Sequence, residues 1–235
     1  MQLQQSKGYQ VVAEWLATKD FRPFAFQEET WQHIAENKSG LVNAPTGFGK
    51  TFSVFLGCLI DFINHHPNDY TKRNKNGLQL LWITPLRALA KDIGRAMEEV
   101  IAGLGMPWRT GIRNGDTSVN ERQKQKKSPP EVMIITPESL HLLLAQKNYA
   151  DFFSSLRIIA VDEWHELLGS KRGVQVELAV NRIVAVSYQL SALSDQPSAV
   201  SGQPPAFSDQ VSAISSQKSA INNQQSTISN RLPLI

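Results

Sequence analysis

With 235 residues, 24 Lys and Arg against 21 Asp and Glu, and a net charge of +3, the chain has room for one domain of roughly 100–200 residues plus an extension, and its slight basicity suits a polyanionic partner without demonstrating one. A single cysteine, Cys58, set in an apolar run, excludes an intramolecular disulfide and any multi-cysteine metal cluster and reads as a buried, inert thiol. The first eight residues are polar and no run approaches the ~18 apolar residues of a membrane helix, so the chain reads as a soluble cytoplasmic protein with no membrane partner.

In chain order, residues 24–37 have helical spacing, a weak apolar run at 41–43 reads as a short strand, and residues 50–64 read as an apolar helix. A polar loop with Lys72, Arg73 and Lys75 leads to a strand at 78–84 and a helix at 86–102. For that loop and for the basic stretch 122–127, solvated loops explain the charge at least as well as binding does. Strands at 132–136 and 157–162 each precede a helical segment, at 137–146 and 174–186 respectively. Short, continuously apolar strands alternating with helices predict a doubly wound α/β domain, a parallel sheet flanked by helices.

From Ser187 the composition changes. All but two of the Lys and Arg residues, and all but two of the Asp and Glu residues, lie in residues 1–186. The remainder parses into seven units of seven residues, such as SDQPSAV and SDQVSAI, with Gln in the third place of six units and an apolar residue closing each. The fourth place runs Leu190, Pro197, Pro204, Val211, Lys218, Gln225, Leu232, which denies a coiled coil its second apolar seam and puts two prolines in any continuous helix. Rich in Ser and Gln and nearly uncharged, residues 187–235 are expected to be a disordered repeat tail behind a domain of residues 1–186.

The strongest chemical signal is Ala44-Pro45-Thr46-Gly47-Phe48-Gly49-Lys50-Thr51, which follows the apolar run at 41–43 and opens a helix. This is a phosphate-binding loop with Ala44 in place of the usual first glycine. Thr46, Gly47 and Gly49 let backbone N–H groups face the β- and γ-phosphates of ATP. Lys50 adds a mobile positive charge, and the Thr51 hydroxyl suits Mg²⁺. The second signal is Val161-Asp162-Glu163-Trp164-His165-Glu166, two adjacent acids at the carboxyl end of an apolar strand, where parallel sheets place ligands. Asp162 is assigned to Mg²⁺ and Glu163 to the water that attacks the γ-phosphate. Standing alone, an Asp-Glu pair after a strand would be an ordinary solvated helix start; the phosphate loop changes that reading.

Taken together, Ala-Pro-Thr-Gly-x-Gly-Lys-Thr and Asp-Glu-x-His resemble the superfamily 2 DExH-box helicases, and most closely the large-helicase-related, ligase-associated DNA helicases. Residues 21–27, 82–89, 114–117, 136–140 and 161–173 resemble the same group in order, so the match spans roughly residues 8–186. The resemblance implies a RecA-like ATPase domain acting on single-stranded or duplex DNA, with RNA as the alternative substrate and DNA-repair proteins such as a ligase as partners. It implies that Gln27 reads the adenine edge, as an amide that both donates and accepts. It further implies that Pro85 with Arg87, Gly115 with Asp116 and Thr117, and Thr136 with Pro137 and Glu138 grip one strand's backbone. His165 takes the position that couples the nucleotide site to a second domain. The tryptophans are expected in the core rather than as base readers.

Superfamily 2 motors close ATP between two RecA-like domains, and the sequence supplies one. The Ser-Ala-Thr motif expected after the next strand is absent, and Leu190-Ser191-Ala192-Leu193 imitates it as part of the repeat. The chain is therefore expected to be an N-terminal motor domain truncated before its partner and slow to hydrolyse ATP, because arginine fingers come from the facing domain. The alternatives are an RNA helicase fragment and a non-catalytic nucleotide- or DNA-binding remnant.

Overall fold

The computed structural model describes residues 3–45 and 47–194, with side chains through residue 187. Four strands, β1 (Leu80–Ile83), β2 (Thr110–Arg113), β3 (Val132–Ile135) and β4 (Ile158–Val161), form a sheet in the order β2-β3-β1-β4, every pair parallel. On one face lie α1 (Lys7–Ala17), α2 (Ala25–Ala35), α3 (Lys50–His65) and α4 (Arg87–Gly103); on the other lie α6 (Pro137–Leu144), α7 (Tyr149–Phe152) and α9 (Lys171–Ser194). Two short helices, α5 (Val119–Lys127) and α8 (Trp164–Leu167), follow β2 and β4. The expected three-layer α/β architecture is what the chain adopts.

Strand alternation sorts the core into two halves. Leu80, Trp82, Ile158 and Ala160 pack with α3 and α4, whereas Leu81, Ile83 and Ile159 pack with α6 and α9. Helix α3 is buried at every position from Ser53 to Ile63, as expected of a helix apolar on all sides. Cys58 is there, 2% exposed and unpaired, and burial pushes its thiol pKa up. The one carboxylate in this stretch, Asp61, accepts from Nη2 of Arg157 at 3.0 Å, which leaves it no uncompensated charge.

Several details depart from the sequence expectation. Residues 41–43 are not a strand: they lie beside β4 without ladder pairing, and Leu41 is 78% exposed. Strand β2 is the reverse case, half-buried Thr-Gly-Ile-Arg with no apolar run to announce it. Residues 122–127 belong to helix α5, started by Ser118, whose Oγ accepts from the Glu121 N–H at 3.2 Å. Helix α1 is an addition to the predicted elements; Ser6 caps it by accepting from the Tyr9 N–H. Helix α9 begins earlier than expected and runs on to Ser194, past the composition change at 187. The expectation of disorder for the rest of the tail, residues 195–235, lies outside the described residues.

The crossing of α1 over α3 depends on Gly8. Its N–H donates to Asn64 Oδ1 at 2.7 Å, and a Cβ there would lie 2.3 Å from the Ile60 carbonyl oxygen, a backbone atom that cannot step aside. Gly8→Ala is therefore expected to destabilise the chain by about 1–3 kcal/mol, read as a lower urea midpoint with an unchanged slope.

Candidate functional site

The loop between residues 43 and 50 is shaped by two glycines in the left-handed region, Gly47 at φ 86° and Gly49 at φ 81°, a conformation costly to any residue with a Cβ. Gly49 is also the N-cap of α3, so the loop delivers Lys50 and Thr51 into the first turn of the most buried helix in the fold. Lys50 Nζ donates to the Ala44 carbonyl at 2.7 Å, folding the ammonium back across the loop. Thr46 lies outside the described residues.

Gln27, 8% exposed, ties α2 to this loop: its Oε1 accepts from the Phe24 N–H at 2.9 Å and its Nε2 donates to the Gly49 carbonyl at 3.2 Å. One amide hydrogen and one lone pair remain uncommitted, a donor and acceptor side by side. Beside it, the Phe24 and Phe48 rings meet with centroids 5.6 Å apart, both about half exposed.

Across from the loop, Asp162 and Glu163 follow the end of β4. The Asp162 N–H donates to the Ile83 carbonyl at 2.8 Å, and Asp162 Oδ1 accepts from the Glu163 N–H at 3.0 Å. Glu163 takes a left-handed φ of 49°, unusual for a non-glycine residue and of the kind that collects at functional sites. Lys50, Thr51, Asp162 and Glu163 line one cavity of about 450 Å³, closed on one side by residues 41–44 and floored by Trp82 and Ala160. His165 stands at its rim, with Nδ1 3.3 Å from Glu163 Oε2 and Nε2 3.4 Å from Glu166 Oε1.

Burial raises the Asp162 pKa above the ordinary aspartate value, and the neighbouring Glu163 charge raises it further; Trp82 and Lys50 favour the ionised form but do not cancel this. Two adjacent acids with one held from ionising comfortably are a place where a divalent cation relieves strain. With the Thr51 hydroxyl lining the same cavity, the donor set suits Mg²⁺, which takes few protein ligands and fills the rest from phosphate and water.

The second group of predicted residues lies along the carboxyl ends of β1, β2 and β3. Arg87, at the start of α4, has its guanidinium against Gly115, where a Cβ would lie 2.9 Å from Nη2, and its Nη1 is 3.7 Å from Asp116 Oδ1. Thr117 turns inward: its Oγ1 accepts from the Asn114 N–H at 2.9 Å and donates to the Ile112 carbonyl at 3.2 Å. Pro85, Thr136 and Pro137 are buried, with Thr136 Oγ1 bonded to Ser139 Oγ at 3.1 Å, so these three shape the surface rather than present side chains to it. Glu138 pairs with Arg172 Nε at 2.7 Å, anchoring α6 to α9.

Three contributors carry no signal in the sequence. Arg122 Nη2 donates to the carbonyls of Asn114 and Gly115 at 3.0 and 3.3 Å and holds the 114–117 loop from below. Arg113 is 3% exposed and has no carboxylate partner among the described residues; burial and the nearby Arg122 charge lower its pKa. Trp82 sits in the floor of the nucleotide-sized cavity. Arg122 and Gln125, which donates to the Ile112 carbonyl, lie one turn apart on α5, but an all-polar helix gives no periodic signal to find them by.

Because the Asp162 pKa is raised on folding, ionising it costs stability: the penalty is full above the folded-state pKa, shrinks as pH falls through it, and is gone below the unfolded value near 3.8. Asp162→Asn should therefore raise the thermal midpoint of the nucleotide-free chain at pH 7. The gap should close as the pH is taken below the ordinary aspartate value, in a calorimetric pH series.

Comparison with known proteins agrees with this site. The DEAD/DEAH box helicases match over residues 24–197. The chain is 33% identical over 184 residues to the Lhr helicase/uracil glycosylase of Escherichia coli (strain K12), covering 74% of this chain and 12% of that protein. It is 36% identical over 180 residues to the Lhr helicase/probable uracil glycosylase of Mycolicibacterium smegmatis, covering 72% and 12%. Among solved structures, that of Mycobacterium smegmatis helicase Lhr bound to ssDNA and AMP-PNP superposes with a TM-score of 0.65 at 32% identity, over 75% of this chain and 23% of that one. The chain thus spans 12% of the length of these two curated relatives, and the part it spans is a RecA-like helicase domain. The chain belongs to the DEAD/DEAH box helicase family.

Proposed function

We propose that this chain is the ATP- and nucleic-acid-binding motor domain of a DNA helicase of the Lhr type. The observation that carries the reading is that one sheet edge holds both halves of the machinery. Lys50 and the Asp162–Glu163 pair open on a shared cavity at the β1–β4 end, and the Arg87–Gly115–Asp116 patch lies along β1, β3 and β2. The similar Lhr helicase whose structure holds ssDNA and AMP-PNP supports the same substrate pair.

In this reading the backbone N–H groups around Gly47 and Gly49 cradle the phosphates, and Lys50 exchanges the Ala44 carbonyl for a phosphate oxygen. Mg²⁺, held by Asp162 and Thr51, supplies charge neutralisation at the phosphates. Glu163 accepts the proton of the attacking water, with His165 alongside to sense its charge. The uncommitted donor and acceptor of Gln27 meet the adenine edge. Arg87, Gly115 and Asp116 face the strand, on a surface that Pro85, Thr117, Thr136, Pro137 and Glu138 shape from beneath. On its own the chain turns ATP over slowly, because a transition-state arginine from a facing domain is worth roughly 10³–10⁵ in rate.

Two measurements test this. In Mg-ATP binding and steady-state hydrolysis with and without single-stranded DNA, Lys50→Ala should weaken nucleotide binding about 10–100-fold, as loss of a charged hydrogen bond does. Glu163→Gln should leave binding in place and cut turnover by roughly 10²–10⁴. Nucleotide binding indifferent to Lys50 would remove the ATPase reading. For the strand, Arg87→Ala should weaken single-stranded DNA binding and flatten its dependence on log salt concentration by about 0.7 for each phosphate left without a neutralising charge. An unchanged slope would remove Arg87 from the interface, and a preference for RNA over DNA of matched sequence would transfer the site to RNA.

A further inference from the structure

The nucleotide cavity contains one buried polar group that the reading above does not use. Trp82 is 3% exposed, lines that cavity, and its Nε1 is buried with no hydrogen-bond partner of good geometry among the described residues. An indole N–H can only donate, and a buried donor left unpaired costs free energy, so its acceptor should be close by in some state of the site. The indole N–H groups of Trp31 and Trp108 are also unpaired, but neither residue lines this cavity.

The sheet decides what Trp82 can reach. β1 and β4 are parallel neighbours with Trp82 opposite Ala160, and Asp162 follows β4 two residues past Ala160, its N–H still bonded to the Ile83 carbonyl at 2.8 Å, so that strand alternation carries it to the same face. Ala160, opposite the indole, is the smallest side chain on that strand, which leaves the ring room to lie across β4. Diagonal neighbours on adjacent strands are about 7–8 Å apart, within reach of a large aromatic side chain. Asp162 is a carboxylate lining the same cavity as Trp82.

We propose that Trp82 is a positioning residue for Asp162: its indole N–H donates to one carboxylate oxygen and leaves the other turned to the cavity. This rests on the reading of Asp162 as the Mg²⁺-side acid. Partners that orient a ligating carboxylate are worth roughly 10–100-fold in metal affinity.

Trp82→Phe keeps an aromatic ring at this position and deletes the donor, together with part of the ring volume. In the full chain, AMP-PNP affinity is measured by calorimetry with and without Mg²⁺, alongside the thermal midpoint without nucleotide. The expected result is a loss of about tenfold in the affinity gained by adding Mg²⁺, with metal-free affinity near that of the native chain and a nucleotide-free midpoint lowered only by the lost ring volume. An unchanged Mg²⁺ increment overturns the proposal, and so does an equal loss in metal-free binding, which would mark a packing role. Should Trp82→Phe not fold, the indole ¹H–¹⁵N spectrum of the native chain carries the test. One indole resonance moving downfield with Mg²⁺ and AMP-PNP, more than with AMP-PNP alone, supports the contact; none moving overturns it. A native chain that gains no AMP-PNP affinity from Mg²⁺, as Asp162→Ala would not, removes the Mg²⁺ reading and this proposal with it. A native gain retained in Trp82→Phe removes this proposal alone.

Discussion

Helix α3 is the constraint on which the nucleotide site depends. Buried at every position from Ser53 to Ile63, it is clamped between the sheet and the α1–α2 pair, and its first turn inherits that rigidity. Lys50 and Thr51 therefore sit on a fixed platform. The loop before them gains its curvature from Gly47 and Gly49 rather than from packing. The platform is further pinned by Gln27, which joins the start of α2 to the Gly49 carbonyl. Small residues permit the clamp: Gly8 lets α1 approach the α3 backbone, and Gly57 admits Ile34 and Trp31, whose atoms would lie 2.4 and 3.1 Å from a Cβ there.

Charge is distributed along the carboxyl edge of the sheet in two groups with different physics. At β4 two acids are adjacent and one is held from ionising easily, a strain that a cation relieves. At β2 and α5 the imbalance has the other sign. Arg113 is buried without a carboxylate partner among the described residues, and Arg122 spends its donors on loop carbonyls. Buried charge of this kind is expensive unless paired. An acid-rich end and an arginine-rich end thus share one edge, with β3 and β1 between them.

The one non-glycine left-handed residue in this cavity is Glu163, and its neighbour Asp162 accepts its N–H. Four other non-glycine residues, Asp20, Asn37, Lys75 and Asn148, take positive φ outside this cavity, while Pro137 opens α6 at a position where its missing N–H costs nothing, and Ser6 and Ser118 cap α1 and α5.

The candidate site of this protein was legible in its sequence because it consists of residue types at short spacing. Gly47, Gly49, Lys50 and Thr51 follow one another, Asp162 and Glu163 are adjacent, and the buried strands β1, β3 and β4 are continuous apolar runs. Tertiary structure decided what local pattern could not encode. Half-buried β2 joins the sheet because β3 offers it a ladder, while the apolar run at 41–43 stays outside the ladder. Polar α5 folds because Gln125 and Arg122 find backbone carbonyls across a loop. Thr117, Thr136 and Pro137 stand where the motifs place them but turn inward, since a motif names a position and packing chooses the direction of its side chain. The floor of the nucleotide cavity is Trp82 for the same reason: only the register of β1 against β4 sets an indole beside Asp162, 80 residues away in the chain.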